Sequence, residues 1–182
     1  MAIANNLFKS QQLLVDDMLG TELGSCLGTR WRVVTDGVMG GVSSASLLSV
    51  EREGRRCLHL RGFVNTANNG GFVQAALDLD SDGGCRDLSE FDALELDVFG
   101  NGEAYNLHVR TAHLTLPWQS FRASFIAPTA WTRIHIPFDT LTPHRTEAEF
   151  DPRRVRRLGL VGIGRDFRAD LAFSMLRLVR KP

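Results

Sequence analysis

The sequence lacks the marks of several common protein classes. Its three cysteines are odd in number and widely spaced, and no C-x-x-C pair occurs, so no zinc or redox site is indicated. No apolar run approaches the roughly 18 residues of a transmembrane helix, and we expect no insertion into a membrane. Residues 1–20 do not begin with a basic segment followed by an apolar one, which argues against a signal peptide. We therefore expect a protein of the reducing cytoplasm.

Recognisable catalytic motifs are also missing. No G-x-S-x-G nucleophile elbow occurs, and the serines of the 43–46 segment have no histidine base placed beside them by the sequence. Gly162-Ile163-Gly164 opens like a dinucleotide-binding fingerprint, but the third glycine is absent and a strand is expected to follow. We assign no catalytic residue and no cofactor, and we expect a protein that is not an enzyme.

The chain has no net charge, because 21 basic residues balance 21 acidic ones. No global field therefore favours nucleic acid or a membrane surface. The charges are nevertheless segregated: residues 78–97 hold eight acids and one base, whereas residues 152–182 hold nine bases and two acids. Two interpretations follow. The segments either face each other and balance, or they form a dipolar surface that steers a charged partner.

Alternation of apolar and polar residues predicts an all-β fold. Leu94, Leu96 and Val98 alternate with Glu95 and Asp97, which is the period of a strand with one buried face. Glycine-containing turns separate such segments and no helices alternate with them, so an antiparallel β-sandwich is favoured. We predict strands near residues 44–50, 57–64, 72–79, 94–98, 107–110, 121–125, 134–138, 157–163 and 170–179, in a single domain of residues 1–182.

Two segments depart from simple alternation. In residues 7–19, apolar side chains recur at approximately helical spacing, which predicts a short helical or irregular segment inside an N-terminal extension of residues 1–29. In the last strand, Phe173 and Met175 share one parity, whereas Leu176 and Leu178 share the other. A β-bulge near Met175 would reconcile the two sets.

A glycine-rich segment follows Trp31 by five residues: Asp36-Gly37-Val38-Met39-Gly40-Gly41-Val42-Ser43. We call residues 36–43 the motif loop. Its three glycines favour a tight connection with positive φ, or a close approach of another backbone or a ligand. Asp36 is expected to close an Asx-turn over Gly37. Met39 has two interpretations: it presents an adaptable apolar side chain to a partner, or it tucks into the core.

The motif resembles the signature of the complex I intermediate-associated protein 30 (CIA30) family. Further elements resemble the family in the same order: Asn69-Gly70-Gly71-Phe72, then Trp131 with Ile134-His135-Ile136-Pro137-Phe138. The resemblance implies a galactose-binding-domain-like, jelly-roll β-sandwich. It also implies an assembly factor or chaperone for complex I (NADH:ubiquinone oxidoreductase), whose partners are respiratory-complex subunits or assembly intermediates. The partner-binding candidates are Asp36, Gly37, Met39, Gly40, Gly41, Ser43, Asn69, Gly70 and Gly71.

A carbohydrate-binding module is the alternative hypothesis. Aromatic rings with nearby polar groups bind sugars, and folds of this class often do so. The candidate residues are Trp118, Trp131, Tyr105, His108 and Arg110. The competing interpretation is that both tryptophans fill the core of the sandwich or its rim.

A calcium loop is weakly indicated at Asp78-Leu79-Asp80-Ser81-Asp82-Gly83, which matches the opening D-x-D-x-D-G. Three carboxylates at alternate positions are able to converge on one hard cation. The match fails at the twelfth position, which is Ser89. An acidic turn in contact with solvent is the preferred interpretation, and no metal is assigned.

Overall fold

The computed structural model describes residues 12–180, and its regular structure there consists of strands and four short 3₁₀ turns. The strands are β1 (Gln12–Asp16), β2 (Arg32–Thr35), β3 (Ser44–Arg52), β4 (Arg55–Val64), β5 (Phe72–Asp78), β6 (Ala93–Phe99), β7 (Ala104–Thr111), β8 (Ser120–Ile126), β9 (Thr132–Pro137), β10 (Thr142–His144), β11 (Val155–Ile163) and β12 (Phe167–Val179). The turns are Asp36–Met39, Ala67–Asn69, Phe138–Thr140 and Pro152–Arg154. No helix in this part of the chain is long and apolar enough to cross a membrane.

Two six-stranded antiparallel sheets enclose the core. Sheet I has the order β3-β4-β12-β6-β9, with β1 paired to β12, and sheet II has the order β10-β8-β7-β11-β5-β2. All nine strands predicted from alternation are present, so the predicted antiparallel β-sandwich is confirmed. Three short strands, β1, β2 and β10, had no clear signal in the sequence.

The inner faces of the two sheets carry the alternating apolar residues. In β7, Tyr105, Leu107 and Val109 are buried, and the residues between them point away from the core. Trp31 is 1% exposed and its ring lies 5.0 Å from that of Phe173. Burying each such side chain contributes about 1.5–3 kcal/mol, so the apolar core supplies much of the stability of the fold.

The N-terminal prediction is wrong where it can be compared with the structure. Gln12–Asp16 forms a strand rather than a helix and pairs with β12, with Leu13 opposite Leu178. Because β4 pairs with β12 only over residues 167–173, the end of β12 has unpaired backbone groups, and β1 satisfies them. Residues 7–11 of the predicted segment lie outside the described residues.

The predicted bulge in β12 is confirmed. Ser174 pairs with Asp97 and Arg177 pairs with Glu95, so β12 contains one more residue than β6 between these two pairs. Met175 has a φ of 48° within this interval. The extra residue reverses the parity, so Phe173 before the bulge and Leu176 and Leu178 after it are all buried in the core.

The acidic and basic segments face each other across neighbouring strands. Arg157 of β11 binds Asp78 of β5, with 2.6 Å between Nε and Oδ1. Arg177 of β12 binds Glu95 of β6 at 2.7 Å. The balancing interpretation is therefore confirmed for these pairs, and sheet pairing is what brings the opposite charges together.

Candidate binding groove

Asp36 joins the two glycine-rich segments. Its side chain is fully buried and accepts hydrogen bonds from Ser43 N at 2.9 Å and Ser43 Oγ at 2.5 Å. It also accepts from Gly71 N at 2.5 Å and Phe72 N at 3.3 Å. Burial opposes ionisation of this carboxyl, but the hydrogen bonds from Ser43, Gly71 and Phe72 outweigh it and hold the pKa of Asp36 below its usual value. The motif loop and residues 69–72, the second glycine loop, thus form one unit.

Two of the glycines are needed because this carboxylate packs against them. A Cβ on Gly41 would lie 2.3 Å from Asp36 Cγ, and a Cβ on Gly70 would lie 2.5 Å from Asp36 Oδ2. Gly40 has a different reason, since its φ is 82° and a Cβ there would meet open space. The motif therefore encodes one close approach to a carboxylate and one left-handed backbone position.

The expected Asx-turn of Asp36 is wrong, because its carboxylate is directed to the second glycine loop. Thr35 caps the 3₁₀ turn instead, accepting from Gly37 N at 3.3 Å. With Asp36 buried, the apolar residues of the loop project outward: Val38 is 76% and Met39 54% exposed. The structure thus favours the exposed interpretation of Met39 over the core one.

A groove of about 510 Å³ lies along the outer face of sheet II, and the motif loop forms part of its wall. Strand register explains the floor. Gly159 of β11 lies opposite His108 of β7, which lies opposite Arg122 of β8. The side chains of His108 and Arg122 therefore lie on the same face as Gly159, since each of the three residues lies between inward-facing apolar neighbours. Gly159 leaves room for Gln74, whose Oε1 would be 2.0 Å from a Cβ at that position.

The opposite wall is a loop of residues 112–119, which carries Trp118. Arg110 holds this loop by donating to Pro117 O at 2.8 Å and to Leu114 O at 3.2 Å. Gln119 fixes its far end, because its Nε2 donates to Arg145 O at 3.1 Å. Trp118 is 44% exposed and lines the groove, so an apolar ring forms part of the groove surface.

The structure brings both sets of predicted site residues together in part. Met39, Asn69, Gly70 and Gly71 line the same groove as the predicted sugar-site residues Trp118, His108 and Arg110. The sequence did not predict that the two sets line one groove, because they are far apart in the chain. Gly37, Gly40 and Ser43 shape the motif loop without lining the groove.

Two predicted sugar-site residues lie elsewhere. Tyr105 is buried between the sheets, where its hydroxyl donates to Asn101 Oδ1 and accepts from Asp170 N, each at 2.9 Å. Burial raises the pKa of Tyr105 to about 12. Trp131 is at the other sheet, where its Nε1 donates to Arg52 O at 3.1 Å. The expectation that these rings share a site with Trp118 is wrong, because alternation directs Tyr105 inward and β9 belongs to sheet I.

Two carboxylates of the weak calcium candidate at the end of β5, those of Asp78 and Asp80, make contacts within the chain. The Asp78 carboxylate binds Arg32 at 2.7 Å and Arg157 at 2.6 Å, using one oxygen for each. Asp80 accepts from Asp82 N at 3.2 Å, which closes the turn. Burial opposes ionisation of Asp78, but the two arginines outweigh it and lower its pKa.

Sequence analysis missed several residues of the groove, including Arg122, Arg145 and His144. Arg122 alternates with inward-facing aromatic residues, so its outward direction was readable from the sequence. Its position opposite His108 was not readable, because that requires knowledge of which strands pair. His144 lies in the three-residue strand β10, which is too short to give a periodic signal.

Solved structures of carbohydrate-binding modules from Clostridium thermocellum are similar to this chain. The family 11 module of the cellulosomal cellulase Lic26A-Cel5E has a TM-score of 0.74 and 12% identity, covering 93% of this chain and 95% of that one. The family 11 module in complex with a β-1,3-1,4-mixed-linked tetrasaccharide has a TM-score of 0.73 and 13% identity, with the same coverage of 93% and 95%. The family 30 module of the cellulase Cel9D-Cel44B has a TM-score of 0.56 and 18% identity, covering 76% and 83%. At these identities the likeness shows the fold alone, a jelly-roll β-sandwich.

Sequence comparison identifies the family. No curated protein sequence gives a significant match. The model of the family described as complex I intermediate-associated protein 30 (CIA30) matches residues 25–174, most of the chain. The motif loop and the second glycine loop both lie within this range. The chain therefore belongs to the CIA30 family.

Proposed function

We propose that this protein is a non-catalytic assembly factor that docks a segment of a respiratory-complex subunit, or of an assembly intermediate of complex I, in the groove of sheet II. One observation carries the proposal: Asp36 fastens the motif loop to the second glycine loop, so that the motif forms a wall of the groove. A turn that served only to connect β2 and β3 would not need to present its apolar residues at a groove.

The exposed side chains of the motif loop favour a protein ligand. Val38, Met39 and Val42 are 76%, 54% and 51% exposed. Exposed apolar groups clustered at a groove mark interaction sites, and methionine adapts to apolar partners of different shape. The backbone of the loop is held by Asp36, so binding does not need to order it.

Carbohydrate binding is the second candidate. Trp118 lines the groove with polar groups of His108 and Arg110 beside it, and an aromatic ring with adjacent polar side chains is the arrangement that the sugar hypothesis requires. Three of its five proposed residues therefore remain together. The loss of Tyr105 and Trp131 from the site leaves one exposed tryptophan, which weakens this candidate relative to the first.

The cysteines support the expected location. Cys26, Cys57 and Cys85 are all free. Free thiols persist in a reducing compartment. We propose a cytoplasmic location, where the protein would meet the cytoplasmic parts of a membrane complex during assembly.

Site-specific crosslinking in the native host tests this function. The photoreactive residue p-benzoylphenylalanine would replace Val38 in one variant and Trp118 in another. The control position is Leu48, which is 59% exposed on the outer face of sheet I. We expect complex I subunits to crosslink from positions 38 and 118, and not from position 48.

Equal crosslinking from all three positions, or none from the groove, would reject the docking function. A parallel titration with the mixed-linked tetrasaccharide addresses the second candidate. Binding that is lost in Trp118→Ala and kept in Trp131→Ala would favour the carbohydrate function. Absence of sugar binding together with subunit crosslinks would establish the first candidate.

A further inference from the structure

The groove is lined by basic residues, and most of its arginines have no carboxylate beside them. Four arginines and two histidines line it, and its described lining contains neither aspartate nor glutamate. Only Arg157 of the four is paired, through Asp78 at its edge. The remaining three are Arg110, Arg122 and Arg145.

These three arginines hold their charges without neutralisation by any described residue. Arg110 donates only to the backbone carbonyls of Pro117 and Leu114, and Arg122 donates to Ser120 Oγ at 2.8 Å. Hydrogen bonds to neutral acceptors orient a guanidinium but leave its charge uncompensated. Burial, and then the neighbouring arginines, lowers the pKa of Arg110 and of Arg122.

His108 in the groove floor is affected by the same positive charges. Burial, followed by the charge of Arg122 and the neighbouring His144, lowers the pKa of His108 to about 3. The Nε2 atom of His108 is buried and has no hydrogen-bond partner among the described residues. A buried nitrogen without a hydrogen-bond partner is unusual, and it marks this part of the groove floor as incompletely satisfied in the free chain.

We infer that the groove binds an acidic polypeptide segment, whose carboxylates pair with Arg122 and Arg145 while its apolar side chains contact Met39 and Trp118. The inference rests on the proposed function and names the chemistry of its partner. Charge complementarity supplies the reason, since a carboxylate accepts two parallel hydrogen bonds from one guanidinium. A groove lacking its own acids is favourable to such a ligand and unfavourable to a basic one.

A polypeptide fits these features better than other anions. Single-stranded nucleic acid is bound on successive aromatic platforms, whereas Trp118 is the lone exposed tryptophan in the described lining. An acidic sugar would satisfy the arginines but would leave the exposed Val38 and Met39 without apolar contact. A segment that alternates acidic and apolar residues satisfies both.

Peptide binding followed by fluorescence anisotropy tests the inference. The probe is a fluorescein-labelled nonapeptide of alternating glutamate and leucine, and its matched peptide has glutamine in place of each glutamate. The groove variant combines Arg122→Gln with Arg145→Gln. The control variant combines Arg56→Gln with Arg61→Gln, which removes the same charge from exposed positions of sheet I.

We expect the glutamate peptide to bind the native chain about tenfold or more tightly than the glutamine peptide. The groove variant should lose about tenfold in affinity for the glutamate peptide, whereas the control variant should change by about twofold or less. If the double variant does not fold, the single variant Arg145→Gln replaces it, because this side chain is exposed. Equal binding of the two peptides, or equal losses in the two variants, would overturn the inference.

Two further probes define the ligand class. Tighter binding of oligogalacturonate or of a uridine hexanucleotide than of the glutamate peptide would overturn the assignment to a polypeptide. Crosslinks to a subunit without peptide selectivity would keep the proposed function and reject the acidic segment. Selective peptide binding without groove crosslinks would keep the acidic ligand and reject the proposed function.

Discussion

The outer faces of the two sheets both carry half-buried arginines, but in different electrostatic surroundings. On sheet I, Asp97 binds Arg55 at 2.8 Å and Arg133 at 2.9 Å. Asp170 on the same face binds Arg52 at 2.8 Å. On sheet II, the half-buried Arg110 and Arg122 have no carboxylate partner among the described residues.

The difference distinguishes a surface of internal ion pairs from the surface for which we propose a binding role. A carboxylate compensates a half-buried guanidinium and also organises its neighbours, so the pairs of sheet I complete the fold internally. Charges left uncompensated in a groove are free to pair with an anionic ligand, which is the role we propose for them. We therefore expect mutations on the outer face of sheet I to lower stability, and mutations of the groove arginines on sheet II to lower affinity for the proposed ligand.

The largest effect is expected from Asp36→Ala, which removes the side chain that joins the motif loop to the second glycine loop. It leaves the buried N–H groups of Ser43 and Gly71 without their acceptor, at a cost of about 3–5 kcal/mol in the free energy of unfolding. Urea denaturation measures this loss, with Asp82→Ala in an exposed turn as the control. A loss similar to that of the control would show that Asp36 does not join the two loops.

The same variant has a defined pH dependence. Since the folded-state pKa of Asp36 is lowered from 3.8, its contribution is fully present above the unfolded pKa and is lost as the pH falls through the folded one. The stability difference between the native chain and Asp36→Ala should therefore be constant above about pH 5 and shrink below about pH 3.8. A difference that grows on acidification would contradict the lowered pKa.

Two neighbouring glycines of the motif loop test why the groove wall needs glycine. Gly41→Ala forces a Cβ against the Asp36 carboxyl and should cost about 2–3 kcal/mol. Gly40→Ala meets open space and only strains a positive φ, at about 1 kcal/mol. Thermal unfolding of both variants checks the order. The reverse order would mean that backbone conformation, rather than approach to the carboxylate, makes the glycines necessary.

Asp97→Ala tests the sheet I side. It removes the shared acceptor of Arg55 and Arg133, and because these arginines are about half exposed, water recovers part of the loss. We expect a loss of about 1–2 kcal/mol in the free energy of unfolding, with affinity for the glutamate peptide unchanged. A weakened affinity without loss of stability would show that this face also binds the ligand.

The smallest effect on stability is expected from Arg122→Gln. The guanidinium has no carboxylate to leave unpaired, so the free energy of unfolding should stay within about 0.5 kcal/mol. Affinity for the acidic peptide should fall in the same variant. A marked loss of stability would reveal a structural role for Arg122 and remove the contrast between the two faces.

Prediction from the sequence was most successful for the strands and for the bulge at Met175. Both depend on alternation along a single segment, which a reader of the sequence sees directly. It failed at Gln12–Asp16, where the apolar residues recur at approximately helical spacing. This segment instead forms a strand that pairs with the end of β12. Tertiary hydrogen bonding decided that segment, because the edge of β12 needed a partner.

The candidate site was predicted only in parts. The motif loop was found through its family resemblance, and Trp118, His108 and Arg110 through their chemistry. Their union in one groove follows from the order β8-β7-β11-β5 in sheet II. Trp131 had the same chemical signal as Trp118, yet it directly precedes β9, which pairs in the other sheet.

By itself, the sequence determined which residues form the nine longer strands, which face of each of these strands is apolar, and which family the glycine motif indicates. Those properties are local, because they depend on the backbone period and on the steric freedom of single residues. Only the tertiary structure decided that Asp36 bonds to Gly71, 35 residues further along the chain, and that Arg122 lies opposite His108. Such contacts follow from strand pairing across the whole fold, and the charge of the groove exists only once that pairing has formed.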